Sequence, residues 1–233
     1  MRGMLPRSFE MCIKVCFGLG FEPEKIWVGV ASSMMWRFSR MPRPKSFDPE
    51  TALAKAMGVF WDKGYDAASI TDLTTAMGIN RFSLYDTFGD KRTLYVKALE
   101  YYQTSVVEPM IERIGTAGSL DELIAYFEQI VEYQHACEHA PCCLMHKATV
   151  VQSGSDQDLQ ACIESMRKRF HDAFREALTR CRNNSDLRSG LSVPDAAWVL
   201  MLVQAGLLSY TAIPIPKRQA RAAIRMVLES FRP

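Results

Sequence analysis

The segment from Ile70 to Lys91, ITDLTTAMGINRFSLYDTFGDK, constrains this chain more than any other stretch. Ser69-Ile70-Thr71-Asp72 has the pattern of a capping box, in which a serine hydroxyl and an acid three residues on each satisfy the other's backbone N–H. Gly78 supplies the left-handed residue that a sharp turn needs, without a Cβ to resist it. Asn80 can cap a second helix, Gly89 can end it, and Asp90 can cap a third. Two short helices joined by a glycine turn over about 70–89 make the layout of a helix-turn-helix, whose second helix enters the DNA major groove.

The flanking sequence predicts helices and no strands. Asp48-Pro49-Glu50 starts a helix whose Leu53, Ala56, Met57, Phe60 and Trp61 recur on one face, and Gly64 is the expected end. Beyond the helix-turn-helix lie four stripes. One holds Leu120, Leu123, Ile124, Phe127, Ile130 and Val131. Another runs from Leu159 through Ile163, Met166, Phe170 and Phe174 to Cys181. The stretch from Asp195 to Tyr210 is apolar nearly all round, which predicts burial on several sides. The last holds Ala220, Ile224, Val227, Leu228 and Phe231. The fold class expected is all-α.

Composition narrows the partners only modestly. The 233 residues carry a net charge of +2, and from Met41 to Arg92 basic and acidic residues are equal in number, seven each. Any DNA-facing basic surface must therefore come from local placement. The seven cysteines form no disulfide framework, so thiols in a cytoplasmic protein are expected. No apolar run approaches the roughly 18 residues of a membrane span, and no membrane partner is expected. Residues 1–40 differ in character from the rest of the chain. They read as an extension, disordered or upstream of a true start at Met41, where MPRPKSFDPE begins. No Ser-His-Asp spacing, catalytic carboxylate pair, phosphate loop or HExxH occurs, so neither enzymatic activity nor a cofactor is expected.

Each part of the helix-turn-helix has a physical task in DNA reading. Thr71, at the first turn of its helix, can donate to a phosphate. Asn80, Arg81, Phe82 and Ser83 occupy the turn that enters the groove first. Arg81 can pair with a guanine, Asn80 with an adenine, and Phe82 can touch a thymine methyl. Tyr85 and Lys91 are placed for phosphates. Arg43 and Lys45 can form a basic arm on the backbone or in the minor groove. The same helix-turn shape also occurs in proteins that bind no DNA, so the pattern alone leaves a second reading open, an all-α interaction protein.

A resemblance bears on that choice. GYDAASITDLTTAMGINRFSLYDTFGDKRTLYVKAL resembles the DNA-binding region of the TetR family of transcriptional repressors. The resemblance rests on Gly64-Tyr65, Ser69-Ile70, Asp72-Leu73, Ala76-Met77-Gly78-Ile79, Leu84-Tyr85, Phe88, Asp90-Lys91 and Leu94. With PRPKSFDPE it covers about Met41 to Glu100, and Thr74 stands where the family commonly has alanine. It implies a three-helix DNA-binding domain over 41–100 and a helical effector-binding and dimerisation domain over 101–233. It also implies a homodimer on a palindromic double-stranded operator, released by a small-molecule or thiol-reactive inducer. The helices of 195–211 and 217–231 are apolar enough to form the dimer's four-helix interface or, alternatively, to complete a monomer core.

The effector half holds one unusual segment, His135-Ala-Cys137-Glu-His139-Ala-Pro-Cys142-Cys143-Leu-Met-His146. Three readings stay open. Cysteines are frequently packed in cores. Cys142 and Cys143 can sense oxidants or electrophiles if their thiolates are favoured. His135, His139, Cys142 and His146 have ligand types that suit zinc or copper, which would make a metal-responsive repressor. Cys142-Cys143-Leu144-Met145 resembles a Gly-Cys-Leu-Leu stretch of one branch of the family, where it opens a helix lining the ligand pocket. Candidate pocket residues are Tyr126, Phe127, Met145, Met166, Phe170, Trp198 and Met201.

Overall fold

Asp48 starts the first helix by accepting the Thr51 N–H at 2.9 Å. The computed structural model describes residues 47–136, 143–144, 147–148, 157–209 and 215–233. The expected extension 1–40, the Met41 start, the arm residues Arg43 and Lys45, and Cys142, Met145, His139 and His146 lie outside the described residues.

Nine α-helices succeed one another among the described residues: α1 Pro49–Ala67, α2 Ile70–Met77, α3 Arg81–Phe88, α4 Lys91–Tyr102, α5 Glu108–Thr116, α6 Leu120–Ala136, α7 Gln157–Asn183, α8 Val193–Ser209 and α9 Lys217–Glu229. No strand occurs among these residues. The expected stop at Gly64 is a break instead. Gly64 leaves helical geometry at φ 80 and ψ 169, and α1 resumes for a short run to Ala67.

A π-helical turn, Gln103–Val107, joins α4 to α5. Pro109 accounts for it. Proline has no N–H to give the Ser105 carbonyl, and its ring crowds that carbonyl. The ladder slips by one residue, and the Glu108 N–H bonds to Gln103 O.

The N-terminal head is α1 to α3 closed against α4. Phe60, Leu73, Leu84 and Leu94 are fully buried there, and Phe60 meets Tyr95 edge-on at 4.9 Å. Burial of large side chains of this kind is worth about 1.5–3 kcal/mol each. In the C-terminal half α5 and α8 pack on α7, and α9 packs on α6. Phe127 and Phe174 stack at 5.8 Å in its centre. Ion pairs from Lys217 and Arg221 to Glu132, and from Arg225 to Glu128, fasten α9 along α6.

Candidate nucleic-acid interface

Local hydrogen bonds shape the reading head. Ser69 Oγ accepts the Asp72 N–H and Asp72 Oδ2 accepts the Ser69 N–H, both at 3.0 Å, so the capping box is closed. Lys63 reaches across from α1 and bonds Asp72 Oδ1 at 2.6 Å. This lysine, together with the Ser69 hydroxyl and backbone, holds the Asp72 carboxyl well below the usual carboxylate range. Lys63 escaped the sequence reading because its partner lies nine residues away across a corner.

Gly78 adopts φ 71 and ψ 31, and its N–H bonds back to Thr74 O at 3.0 Å. This left-handed residue turns the chain into α3. Thr74, the family's usual alanine, ties its hydroxyl to Ile70 O at 2.8 Å within α2. Asn80 Oδ1 accepts the Ser83 N–H at 2.8 Å and caps α3. The cap occupies the side-chain oxygen and leaves the amide NH2 as the group able to reach a base acceptor.

The second helix then divides cleanly. Leu84 and Phe88 are buried, while Phe82 is 80% and Tyr85 50% exposed. Asn80 and Arg81 are exposed, and Ser83 is half-buried. Arg81 Nη2 donates to Thr71 Oγ1 at 3.3 Å, so the starts of α2 and α3 share one surface. The Thr71 hydroxyl accepts this bond and keeps its own hydrogen to donate. Lys91 points toward the α1–α2 corner, with Nζ 3.4 Å from Asp66 O and 4.6 Å from the centre of the Tyr65 ring. Thr71, Asn80, Arg81, Phe82 and Tyr85 thus form an exposed surface rich in donors around one large apolar side chain. An unpacked phenylalanine beside an arginine suits the edge of a base pair better than water.

The effector candidates are less uniform. Tyr126, Phe127 and Phe170 are buried, and Met166 and Met201 are half-buried. Trp198 departs from the expected interior position: it is 45% exposed. The inner face of α8 is taken by Ala197, Leu200, Gln204 and Leu207, which turns Trp198 outward onto His171 at 4.4 Å, with Arg167 6.0 Å away. Cys143 is half-buried, and the Tyr102 hydroxyl lies 3.4 Å from its Sγ. His135 is exposed, with Nδ1 2.8 Å from Val131 O. Among the described residues no group of three His, Cys, Asp or Glu side chains could hold a metal ion.

Known proteins resemble this chain over both halves. The profile of the family described as "Bacterial regulatory proteins, tetR family" matches residues 52–98. The uncharacterised HTH-type transcriptional regulator YezE of Bacillus subtilis (strain 168) is 34% identical over 148 residues, 63% of this chain and 76% of that protein. The HTH-type transcriptional repressor BdcR of Escherichia coli (strain K12) is 40% identical over 75 residues, 32% of this chain and 38% of that protein. A solved structure of a cysteine mutant of the TetR family regulator CifR, complexed with 26-bp double-strand operator DNA, superposes with a TM-score of 0.68. It is 28% identical and the match covers 81% of this chain and 99% of that one.

Proposed function

This chain belongs to the TetR family of helix-turn-helix transcriptional regulators, and on that premise we propose that it is a repressor that binds a palindromic operator as a homodimer and leaves it when an inducer occupies the effector half. The observation that carries the reading is the exposed first turn of α3. Arg81 and Phe82 stand out from the head beside Thr71, while the rest of the helix is anchored by Leu84 and Phe88. In this reading Asn80, Arg81, Phe82 and Ser83 face base edges, and Thr71, Tyr85 and Lys91 face phosphates. The solved structure of a relative bound to operator DNA supports the same use of the head, as does the named repressor relative.

The dimer is supported by what α8 leaves uncovered. Leu202 is 72% exposed, with Trp198 and Val199 beside it and Met226 of α9 also exposed. The ion pairs to α6 use other positions of α9, so this apolar surface is available to a second copy. Two heads roughly 34–36 Å apart would then read successive major grooves.

A mobility-shift titration on duplex DNA from upstream of the chain's own gene tests the reading. The expected result is a salt-sensitive, sequence-selective complex containing two chains. Failure to shift any duplex at low ionic strength overturns it.

A further inference from the structure

The break in α1 is closed from the effector half. At Gly64 the chain leaves helical geometry, and the carbonyls of the turn before it lie at the negative end of that helical run. Two of these carbonyls receive a lysine from far along the chain. Lys147 Nζ lies 2.6 Å from Trp61 O and 3.5 Å from Asp62 O. Partial desolvation raises the Asp62 carboxyl, and the Lys147 charge opposes that rise.

Lys147 is itself held. Its N–H bonds Cys143 O at 3.0 Å, one helical turn back. The Tyr102 hydroxyl lies against Cys143 Sγ, and the Tyr102 ring meets Trp61 edge-on at 5.0 Å. Trp61, Lys147, Cys143 and Tyr102 therefore close a ring that joins α1 and α4 to the hydrogen-bonded pair Cys143 and Lys147. α1 also packs along α4, so the lysine is a second attachment of the head. That packing sets the angle of the head on α4, and the lysine adds a restraint from a second direction.

We propose that Lys147 is a positioning residue for operator reading: its ammonium caps α1 from the effector half and fixes the angle at which each head is presented to its half-site. The proposal rests on the dimeric repressor reading. A dimer gains from its second head only if that head arrives in register, because the second contact is intramolecular and geometry decides whether it forms. Removing the ammonium frees the angle but leaves the groove-facing residues of each head intact. The cost therefore falls on simultaneous binding by two heads and spares binding by one.

The full chain and its Lys147→Met variant are compared on two probes. One is the palindromic duplex selected by the wild-type chain from a random library, and the other is the same duplex with one arm scrambled. Lys147→Met is expected to bind the palindrome about tenfold more weakly, within the usual range of coupling between sites, and the single arm nearly as well as wild type. Lys147→Arg, which keeps the charge and donors, should recover most of the loss. In the free chain, amide exchange of residues 61–68 should quicken in Lys147→Met while that of α7 does not change. Should Lys147→Met fail to fold, Lys147→Gln carries the same comparison. Equal losses on both probes, or no loss on either, overturn the proposal while leaving the repressor reading intact. If the wild-type chain selects no duplex at all, the repressor reading fails and the proposal falls with it.

Discussion

Replacing Arg81 by alanine separates base reading from phosphate binding. In the free chain the Arg81 side chain is exposed and spans 3.3 Å to the Thr71 hydroxyl. Losing one solvent-exposed contact should leave folding stability within about 0.5 kcal/mol of wild type. On DNA the magnitude is different in kind. A bidentate arginine–guanine contact is worth about 1–3 kcal/mol of discrimination. A dimer makes it twice, so the operator should lose about 2–6 kcal/mol, roughly thirtyfold to more than ten-thousandfold in affinity. A scrambled duplex should lose little. Lys91→Ala should behave in the opposite way. Two phosphate contacts per dimer are lost, so the slope of log affinity against log salt should fall by about 1.8 on every sequence. Fluorescence anisotropy titrations on operator and scrambled duplexes between about 50 and 200 mM salt measure both effects. If Arg81→Ala weakens both duplexes alike, or lowers the salt slope as Lys91→Ala should, Arg81 sits on the backbone and the division of roles along α3 is wrong.

Two titratable groups give further predictions. The Asp72 carboxyl is depressed by Lys63 and the Ser69 cap. Its contribution to stability is therefore present above the ordinary carboxylate value near 4 and is lost as pH falls below it toward the folded value. The urea midpoint should drop less between pH 7 and pH 3 in Asp72→Asn than in wild type, and an equal drop would show that the box is not the acid-sensitive part of the head. Burial pushes the Cys181 thiol up to about 11, so iodoacetamide at pH 8 should leave Cys181 unmodified while the half-buried Cys143 reacts. Peptide mass analysis reads the order, and prompt labelling of Cys181 in the folded chain would refute its burial.

Range decides which contacts were legible in the sequence. The caps are contacts across three residues, and Ser69–Asp72, Asn80–Ser83 and Asp90–Thr93 all form as their spacing predicts. Gly78 was legible because only a left-handed residue lets α2 turn into α3. The π turn also had a signal, Pro109, since a proline inside a helical run must disturb the carbonyl four residues back. Contacts between elements had none. Nothing in spacing links Lys63 to Asp72 or Lys147 to Trp61. In α8 periodicity fails for another reason: with apolar residues on nearly every side, no stripe marks the inner face. Gln204 is buried there, accepting the Tyr126 hydroxyl at 2.7 Å, while Trp198 and Leu202 face outward. A polar side chain inside and large apolar ones outside invert the usual assignment, and only packing decides it.

The same long-range contacts bear on how an effector half could act on a reading head. From Lys91 to Thr116 the chain forms one rod, roughly 40 Å long at about 1.5 Å per residue. Six of its buried residues recur every fourth position, Leu94, Ala98, Tyr102, Val106, Met110 and Ile114, with Tyr95, Leu99 and Val107 buried beside them. In an unbroken α-helix such a series drifts by about 40° per step and would wind well around the rod. The π turn takes up one extra residue, about 100° of rotation, and so keeps the head-facing and body-facing ends of the series nearer one side. Tyr102 stands immediately before that correction and touches both Trp61 of the head and Cys143 of the effector half. A rigid rod transmits a small rotation over its whole length, but it does so only if the head cannot pivot freely on it. If Lys147 fixes the head as proposed, it restrains that pivot, and the rod and the lysine act as two parts of one coupling between the C-terminal half and the head.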